Sequence, residues 1–308
     1  MRLVFFGTSA FAVPHLERLA ACGHQILRCV TQPDQPQGRG LRPQPSPVKQ
    51  AALRLQMAVD EPRDWPAAAA AYQALRPELG VVISYGRLIP RALLALPAHG
   101  MLGVHPSLLP RYRGASPIVW PLLNGDAMTG VTVFRLTERM DAGDVLLQRP
   151  EPIAPRDTSD SLSARLASIG AELLAEGVAA IEQGTAAFRP QDEGAATCTT
   201  KLTKAHGRLR WTDDASVLDR QIRALNPWPG TVASWQGEPL KILVADLGPA
   251  APSAAPGTVL AADADGIRVA AGRGSIVIHE LQRSGGRRLT AREFLAGHPL
   301  RAGERLDA

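Results

Sequence analysis

The first thirty residues, MRLVFFGTSAFAVPHLERLAACGHQILRCV (residues 1–30), alternate between strand-like and helix-like patterns. Leu3 to Phe6 form an apolar run of the length of a buried strand, and Ile26 to Val30 form a second run. Between them, apolar residues recur at helical spacing, at Val13, Leu16, Leu19 and Ala20. A strand, a helix and a strand in this order predict a βαβ unit. We therefore expect a parallel sheet whose ligands bind beyond the carboxyl ends of its strands.

The turn after the first strand disfavours a nicotinamide cofactor. Dinucleotide-binding folds carry the pattern G-x-G-x-x-G at this turn, because the backbone must approach a pyrophosphate closely. In this chain Gly7 is followed by Ser9 and Ala12, where the second and third glycines would stand.

The rest of the chain divides into an α/β part and a β part. In the first part the pattern predicts strands at 79–84, 101–104 and 131–136, and helices at 67–75 and 159–183. In the second part it predicts short strands at 231–235, 240–245, 257–261, 267–270 and 275–281. We therefore expect a Rossmann-like parallel-sheet domain over residues 1–189, a linker over 190–207 and an OB-like β-barrel domain over 208–308. A generic antiparallel barrel fits the spacing of the short strands equally well.

The composition fits a globular protein of two domains. The 308 residues are 45% hydrophobic and 20% charged, and the 28 glycines and 26 prolines show no collagen-like period. No apolar run approaches the roughly 18 residues that span a bilayer, and the first apolar run ends before a signal peptide could form. We expect a cytoplasmic protein without a membrane partner. Three scattered cysteines, Cys22, Cys29 and Cys198, give neither a disulfide framework nor a zinc site.

The net charge of +5, from 34 basic and 29 acidic residues, permits an anionic partner. Thirty of the basic residues are arginines, whose planar guanidinium group suits phosphate. A genome rich in Arg and Ala codons would give the same excess of arginine. Only the location of the basic residues can therefore indicate whether they bind an anionic partner.

The stretch LGVHPSLLPRYRGA (residues 102–115) is the most informative for chemistry. His105 follows a predicted central strand, at the edge of the sheet where α/β folds hold their reacting groups. Asp141 and Asp144 lie in the loop TERMDAGD (residues 137–144), after the next strand. If the two strands are parallel neighbours, their carboxyl ends meet and an Asp beside His105 makes an acid/base pair. The alternatives are a His that caps its strand and acids that form a solvated turn.

A second unusual stretch is PDQPQGRGLRPQPSPVK (residues 33–49), which holds five prolines and two glycines. This composition excludes a helix or a central strand and predicts a long exposed loop near the active edge of the sheet. Arg39, Arg42 and Lys49 outnumber the single acid, Asp34. The loop could approach an RNA backbone, although basic loops more often serve solubility.

Five motifs occur in the order and spacing of one family: GRGLRPQPSPVK (38–49), ISYGRLIP (83–90), HPSLLPRYRGA (105–115), MDAGD (140–144) and NPWPG (226–230). Together they resemble the methionyl-tRNA formyltransferase family along essentially the whole chain. The third and fourth motifs are shared by other folate-dependent formyltransferases and a related hydrolase, so the basic loop and the second domain narrow the choice. The resemblance implies formyl transfer from 10-formyltetrahydrofolate to the α-amino group of methionyl-initiator tRNA in translation initiation, with no metal.

The resemblance also implies roles for particular residues. His105 and Asp141 match two of the family's three catalytic residues, and Gly103 stands where the family has an Asn. The folate site would include Tyr85, Gly86, Ser107, Leu108, Leu109, Pro110 and Asp144, although the apolar members could equally be core residues. Arg39 and Arg42 lie in the loop that matches the family's tRNA-contacting insertion, with Arg39 at its key basic position. Two further basic clusters, one with Lys201 and Lys204 and one with Arg287 and Arg288, could also contact tRNA phosphates, although each alone could equally be a solvated surface.

Gly103 is the one serious departure from the family, because its Asn is the donor that stabilises the oxyanion of the transition state. Loss of such a donor typically costs on the order of 100- to 1000-fold in rate. Three explanations stay open: backbone N–H groups or water replace the donor, protonated His105 takes over, or the protein is catalytically weak. We expect altered but retained activity, and acceleration on Gly103→Asn. Rival functions are a formyl-folate hydrolase, an amino-sugar formyltransferase and a tRNA-binding homologue with impaired catalysis. Nothing in the sequence indicates an oligomeric state.

Overall fold

A computed structural model describes residues 1–37, 42–250 and 254–307, and the chain forms two compact units. The first consists of Met1–Pro117, Met128–Pro152 and Leu162–Thr199. The second consists of residues 118–127, 153–161 and the chain from Thr200 onward. The units change at residues 199 and 200, within the segment 190–207 that we predict as a linker, and residues 190–199 pack within the first unit.

The strands of the first unit are β1 (Arg2–Gly7), β2 (Gln25–Val30), β3 (Gln35–Gln37), β4 (Arg42–Gln44), β5 (Val59–Asp60), β6 (Leu79–Ile83), β7 (Met101–His105), β8 (Arg113–Gly114), β9 (Met128–Arg135), β10 (Val145–Pro152) and β11 (Cys198–Thr199). The α-helices of the described residues, over both units, are α1 (Val13–Ala21), α2 (Pro47–Arg54), α3 (Trp65–Leu75), α4 (Arg91–Leu94), α5 (Val119–Asn124), α6 (Ser159–Glu182), α7 (Ala215–Leu225) and α8 (Ala291–Gly297). None of the helices within the described residues is long and apolar enough to cross a membrane.

The first unit is built on a mixed sheet with the strand order β10-β9-β7-β6-β1-β2-β5. The predicted βαβ unit at the N-terminus is confirmed, because β1 and β2 are parallel neighbours joined by α1. β1 also pairs in parallel with β6, and β6 pairs in parallel with β7. Leu3, Phe5 and Phe6 in β1 are fully buried, as expected for a central strand that is covered on both faces.

The expectation that strands 101–104 and 131–136 are parallel is wrong. β9 pairs antiparallel with β7, with His105 opposite Thr132 and Leu102 opposite Arg135. β9 therefore starts at the carboxyl edge of β7 and runs back along it. β10 pairs antiparallel with β9, because the nine residues between them are too few for the crossover that parallel strands require. The α/β fold class is confirmed, with this antiparallel edge added to the parallel sheet.

The exclusion of a helix from residues 33–49 is wrong at its end. β3 and β4 form an antiparallel pair, but Pro47 to Lys49 are the first turn of α2. Proline suits the first position of a helix because an N–H there would have no partner within the helix. The Ser46 hydroxyl caps the turn by accepting a hydrogen bond from Lys49 N at 3.0 Å. The Lys49 ammonium donates to Asp34 at 2.8 Å and to Glu61 at 3.0 Å. These bonds raise the pKa of Lys49 and neutralise its charge.

The second unit confirms the predicted small β domain, because all five expected strands are present. They are β12 (Thr231–Trp235), β13 (Glu238–Leu247), β14 (Val259–Asp263), β15 (Gly266–Ala270) and β16 (Ser275–Arg283), with a short β17 (Leu289–Thr290) beside β16. Their order is β12-β13-β16-β15-β14, and every pairing is antiparallel. The end of the chain bridges both edges, since Asp307 pairs with Ser234 in β12 and Arg305 pairs with Thr258 beside β14. These two pairings link the two edges of the sheet, as in a partly closed barrel.

Candidate active site

Three loops meet at the carboxyl edge of the parallel strands. In the sheet register Gly7 at the end of β1 lies beside Ile83 at the end of β6, and Val82 lies beside Gly103 in β7. The residues that follow are therefore brought together, and the Thr8 hydroxyl donates to the main-chain oxygen of Tyr85 at 2.9 Å. His105 ends β7 at this same edge.

His105 and Asp141 are adjacent in space, as predicted. The Nδ1 atom of His105 lies 3.6 Å from Oδ2 of Asp141, with 8% of the His side chain and 18% of the Asp side chain exposed. This distance is too long for a hydrogen bond, and a bound substrate could shorten it. The same Oδ2 atom accepts a hydrogen bond from Gly114 N at 2.8 Å, which fixes the carboxylate.

The second ring nitrogen of His105 indicates which atom does the chemistry. Nε2 lies 2.8 Å from the main-chain oxygen of Tyr112, and a carbonyl oxygen can only accept. Nε2 therefore carries a hydrogen, and in the neutral ring Nδ1 holds the free lone pair. Nδ1 is thus the atom that can take up a proton, and it is the ring nitrogen that faces Asp141.

Asp141 reaches His105 by a tight return of the loop between β9 and β10. Because β9 is antiparallel to β7, its last residue lies far from the carboxyl edge and the loop must turn back. Arg135 N donates to Asp144 O at 2.8 Å, which closes the base of the loop. A Cβ atom on Gly143 would lie 1.7 Å from Arg135 O, so only glycine fits there. Asp141 itself has a left-handed backbone with φ of 51°.

Comparison with known proteins identifies the family. The formyl transferase family model matches residues 1–178, and the formyl transferase C-terminal domain model matches residues 201–299. Methionyl-tRNA formyltransferases of Aromatoleum aromaticum and Stenotrophomonas maltophilia are 44% and 45% identical to the chain. The first alignment covers 100% of this chain and 98% of the relative, and the second covers 98% and 100%. The chain belongs to the methionyl-tRNA formyltransferase family.

Two solved structures that share the fold were found with a bound folate. HypX from Aquifex aeolicus in complex with tetrahydrofolic acid has a TM-score of 0.70 at 20% identity. The match covers 96% of this chain, which spans about half (48%) of HypX. A Helicobacter canadensis N-formyltransferase in complex with folinic acid and dTDP-3-aminofucose has a TM-score of 0.68 at 17% identity, covering 90% of this chain and 98% of that one. The formyltransferase fold of the first unit is therefore shown independently of the motifs.

The stretch that matches the family's folate-binding motif is held rigidly. The Ser107 hydroxyl donates to Arg111 O at 2.6 Å, and Ser107 O accepts from the Thr132 hydroxyl at 2.7 Å. Leu109 N donates to the same hydroxyl at 3.1 Å, and Leu109 O accepts from Gln148 Nε2 at 2.7 Å. Leu109 is buried, whereas Leu108 and Pro110 are partly exposed. Thr132 and Gln148 are supports for this stretch that sequence reasoning missed, because their signal is a pairing of distant strands.

Three other residues that we predict in the folate site differ in exposure. The Tyr85 side chain is buried, and its ring packs edge-on against Phe6 with centroids 5.6 Å apart. Gly86 is exposed with φ of 85°, and a Cβ atom there would meet nothing within 4 Å. The Asp144 side chain is exposed as well. The Tyr85 side chain is therefore part of the core, whereas Gly86 and Asp144 are accessible to a ligand.

Gly103, at the position of the family's Asn, is buried two residues before His105 and on the same side of β7. Its partner on β9 is Phe134. A Cβ atom at position 103 would lie 2.6 Å from Cε1 of Phe134 and 3.1 Å from Cδ1 of Leu136. The space for a side chain at position 103 is therefore already occupied.

The residues that we predict to bind tRNA lie in both units. Arg39 lies outside the described residues, and Arg42 begins β4. In the second unit Lys201 and Lys204 are exposed. Arg288 is paired with Glu280, and Arg287 lies 3.9 Å from Glu293. Among residues 1–37, 42–250 and 254–307, no three His, Cys, Asp or Glu side chains are grouped as a metal site.

Proposed function

We propose that this chain transfers the formyl group of 10-formyltetrahydrofolate to the α-amino group of methionyl-initiator tRNA, in the cytoplasm where translation begins. The single observation that supports this most is the 3.6 Å approach of His105 Nδ1 and Asp141 Oδ2 at the carboxyl edge of the sheet. The full-length identity of more than 40% to methionyl-tRNA formyltransferases adds the choice of substrate.

The acid/base pair has two tasks in this proposal. The amine attacks the formyl carbon, a new C–N bond forms, and His105 Nδ1 takes up the proton that the amine loses. The tetrahedral centre then collapses, the bond from carbon to the folate N10 breaks, and the imidazolium returns a proton to that nitrogen. The Asp141 carboxylate stabilises the imidazolium between the two steps. The pair stands in a largely buried site, which keeps bulk water from taking the formyl group.

The oxyanion needs a donor that Gly103 does not supply. In this proposal the protonated His105 takes a larger share of that stabilisation than it would beside an Asn. The tRNA would be held by exposed basic residues, such as Lys201 and Lys204, that bind its phosphate groups. Arg287 and Arg288 would have to exchange their carboxylate partners for phosphate.

The deciding experiment incubates the full chain with 10-formyltetrahydrofolate and charged initiator tRNA, and measures formylmethionine after release from the tRNA. Formylmethionine that appears only when both substrates are present supports the proposal. Formate released at an equal rate without tRNA would instead indicate a hydrolase, and formylation of a nucleotide-linked amino sugar would indicate a sugar-modifying enzyme.

One observation favours a second candidate function, a tRNA-binding homologue with impaired catalysis. Both the missing Asn and the filled space at Gly103 remove the family's oxyanion donor. In the same assay this candidate would bind charged tRNA but form no formylmethionine above the uncatalysed reaction.

A further inference from the structure

Gln191 lies outside every motif of the sequence, yet its side chain contacts the loop that carries Asp141. Its amide nitrogen Nε2 donates to Asp141 O at 2.8 Å and to Gly143 O at 2.7 Å. Both hydrogens of the amide group are thus used on two carbonyls that flank a single residue. Gln191 holds the loop by its main chain and leaves the Asp141 carboxylate free to face His105.

The other end of the Gln191 amide is fixed as well. Its oxygen accepts from Arg113 Nε at 3.0 Å and from Arg113 Nη2 at 2.7 Å. A guanidinium group can only donate, so the oxygen must face Arg113 and the nitrogen must face the loop. The Arg113 side chain is 7% exposed and is held in turn by Glu193, to which it donates at 3.1 and 3.0 Å. The hydrogen bonds from Arg113 and Arg139 lower the pKa of Glu193 to about 2, so this anchor stays charged.

Asp141 needs such support because its backbone is unfavourable by itself. A left-handed φ, here 51°, is costly for any residue other than glycine, with Asp and Asn the most tolerant. Asp141 Oδ2 also accepts from Gly114 N, the residue next to Arg113. Gly114 thus holds the Asp141 carboxylate directly, and Arg113 holds the Asp141 backbone through Gln191. Gln191 contacts Asp141 but has no hydrogen bond to His105 among the described residues.

We infer that Gln191 is a positioning residue for formyl transfer, which sets the approach of Asp141 to His105 through the main chain of residues 141–143. The inference rests on the function proposed above. Displacement of a reacting group by about 1 Å can cost about 100-fold in rate. We therefore expect a loss of about 10- to 100-fold in kcat when the two donor bonds are removed, with KM for both substrates within about twofold of the parent value.

Two substitutions of Gln191 separate its possible roles. Gln191→Met keeps the length of the side chain but removes every hydrogen bond. Gln191→Glu keeps an oxygen for Arg113 and removes the two donors to the loop. If Gln191 acts on the loop, both variants lose kcat alike. A Gln191→Glu variant with the kcat of the parent would overturn the inference, because Arg113 would then be the partner that matters. If Gln191→Met does not fold, Gln191→Glu by itself still tests the inference.

The chain offers a matched control in its second unit. Gln221 Nε2 also donates to two carbonyls two residues apart, to His206 O at 2.6 Å and to Arg208 O at 3.1 Å. Gln221→Met removes the same kind of contact away from Asp141, so we expect a similar fall in Tm with kcat unchanged. A kcat that falls equally in Gln221→Met and Gln191→Met would show that the loss reflects general destabilisation, and would overturn the inference.

A double-mutant cycle with Asp141→Asn gives the sharpest test. If Gln191 acts through the Asp141 carboxylate, Gln191→Met adds less than about twofold to the loss that Asp141→Asn already causes. Equal factors in the parent and the Asp141→Asn background would refute a role through Asp141. These measurements compare variants with an active parent. A parent that forms no formylmethionine would contradict the proposed function. An active parent whose rate does not depend on Gln191 would contradict only this inference.

Discussion

The ring of Phe134 fills the volume that a side chain at Gly103 would need. The two residues are cross-strand partners on β9 and β7, and a Cβ atom at position 103 would lie 2.6 and 2.8 Å from two ring atoms of Phe134. Phe134 is itself 2% exposed and cannot swing into solvent without leaving the core. Gly103 and Phe134 therefore form one packing unit, and a side chain at position 103 requires Phe134 to move or to be replaced.

The first prediction follows from this pair. Gly103→Asn by itself should destabilise the chain by about 1 to 3 kcal/mol, because overpacking in a core costs that much, and it should not accelerate formyl transfer. With the ring shortened, in Gly103→Asn combined with Phe134→Leu, we expect kcat at least about tenfold above Phe134→Leu alone, since a full oxyanion donor is worth on the order of 100-fold or more. Single-turnover rates and urea denaturation of all three variants test both parts.

This prediction differs from the expectation that Gly103→Asn alone accelerates the reaction, because Phe134 occupies the space at position 103. Equal rates for Phe134→Leu and the double variant would show that a donor at position 103 has no role in this chain. A faster Gly103→Asn single variant would show that Phe134 moves aside at little cost.

The second prediction concerns His105. His105→Ala removes the only imidazole beside Asp141 in the described part of the chain and should lower kcat by about 100- to 10,000-fold, the usual range for general acid/base catalysis. Binding of charged tRNA, measured by fluorescence anisotropy, should stay within about twofold. His99, an exposed histidine of the same unit, provides the matched control, and His99→Ala should keep the parent rate. A His105→Ala variant of near-normal turnover would remove His105 from the mechanism.

The sequence was sufficient for the fold class and for the position of His105 at the carboxyl edge of the sheet. A continuous apolar run such as Leu3 to Phe6 is a local signal, and it predicted a buried strand correctly. A His that follows an apolar run is a second local signal, although His105 is the last residue of β7 and not the residue after it. The approach of Asp141 to His105 was also predicted, but for a wrong reason, since β7 and β9 are antiparallel and the loop turns back to reach the site.

What the sequence could not show were contacts between residues far apart in the chain. Gln191 is 50 residues from Asp141, and it falls in a segment whose polar composition indicates only a linker. Phe134 lies opposite Gly103 because of a strand register, which no local pattern specifies. For Phe134 the decisive information is which strands pair and in which direction, and that direction was predicted wrongly. Gln191 and Asp141 lie in loops, so their contact depends on how two loops fold back on each other.

The third prediction concerns Arg39, which we expect to contact tRNA because of its position in the motif GRGLRPQPSPVK (38–49). Arg39→Ala should raise KM for methionyl-tRNA and leave the affinity for formyl-folate unchanged. The slope of log KM against log salt should become shallower by about 1, because one phosphate contact releases about one counterion. Arg149, which pairs with Glu176 on the surface of the first unit, is the control, and Arg149→Ala should leave that slope as it is. An equal loss of folate and tRNA affinity in Arg39→Ala would contradict the assignment.

The fourth prediction concerns the acid stability of the first unit. His15 is fully buried, its Nδ1 atom is 3.0 Å from Phe11 O, and its Nε2 atom has no hydrogen-bond partner among the described residues. Burial lowers the pKa of His15 from 6.5 to about 4, because the charged ring would lose its hydration. Between these two values the unfolded chain binds a proton that the folded chain does not, so stability falls as the pH falls from about 6.5 to about 4.

The size of this effect can be measured against a variant that lacks the imidazole. One pH unit corresponds to about 1.4 kcal/mol of proton-binding free energy, so His15 alone should remove about 2 kcal/mol between pH 7.5 and pH 5. His15→Leu fills the same apolar site without a titrating group. Its free energy of unfolding should therefore fall less than that of the parent over this range by about 2 kcal/mol, in urea titrations at both pH values. Parallel losses in the two proteins would mean that His15 is protonated in the folded state, which requires a partner for Nε2 or access of water to it.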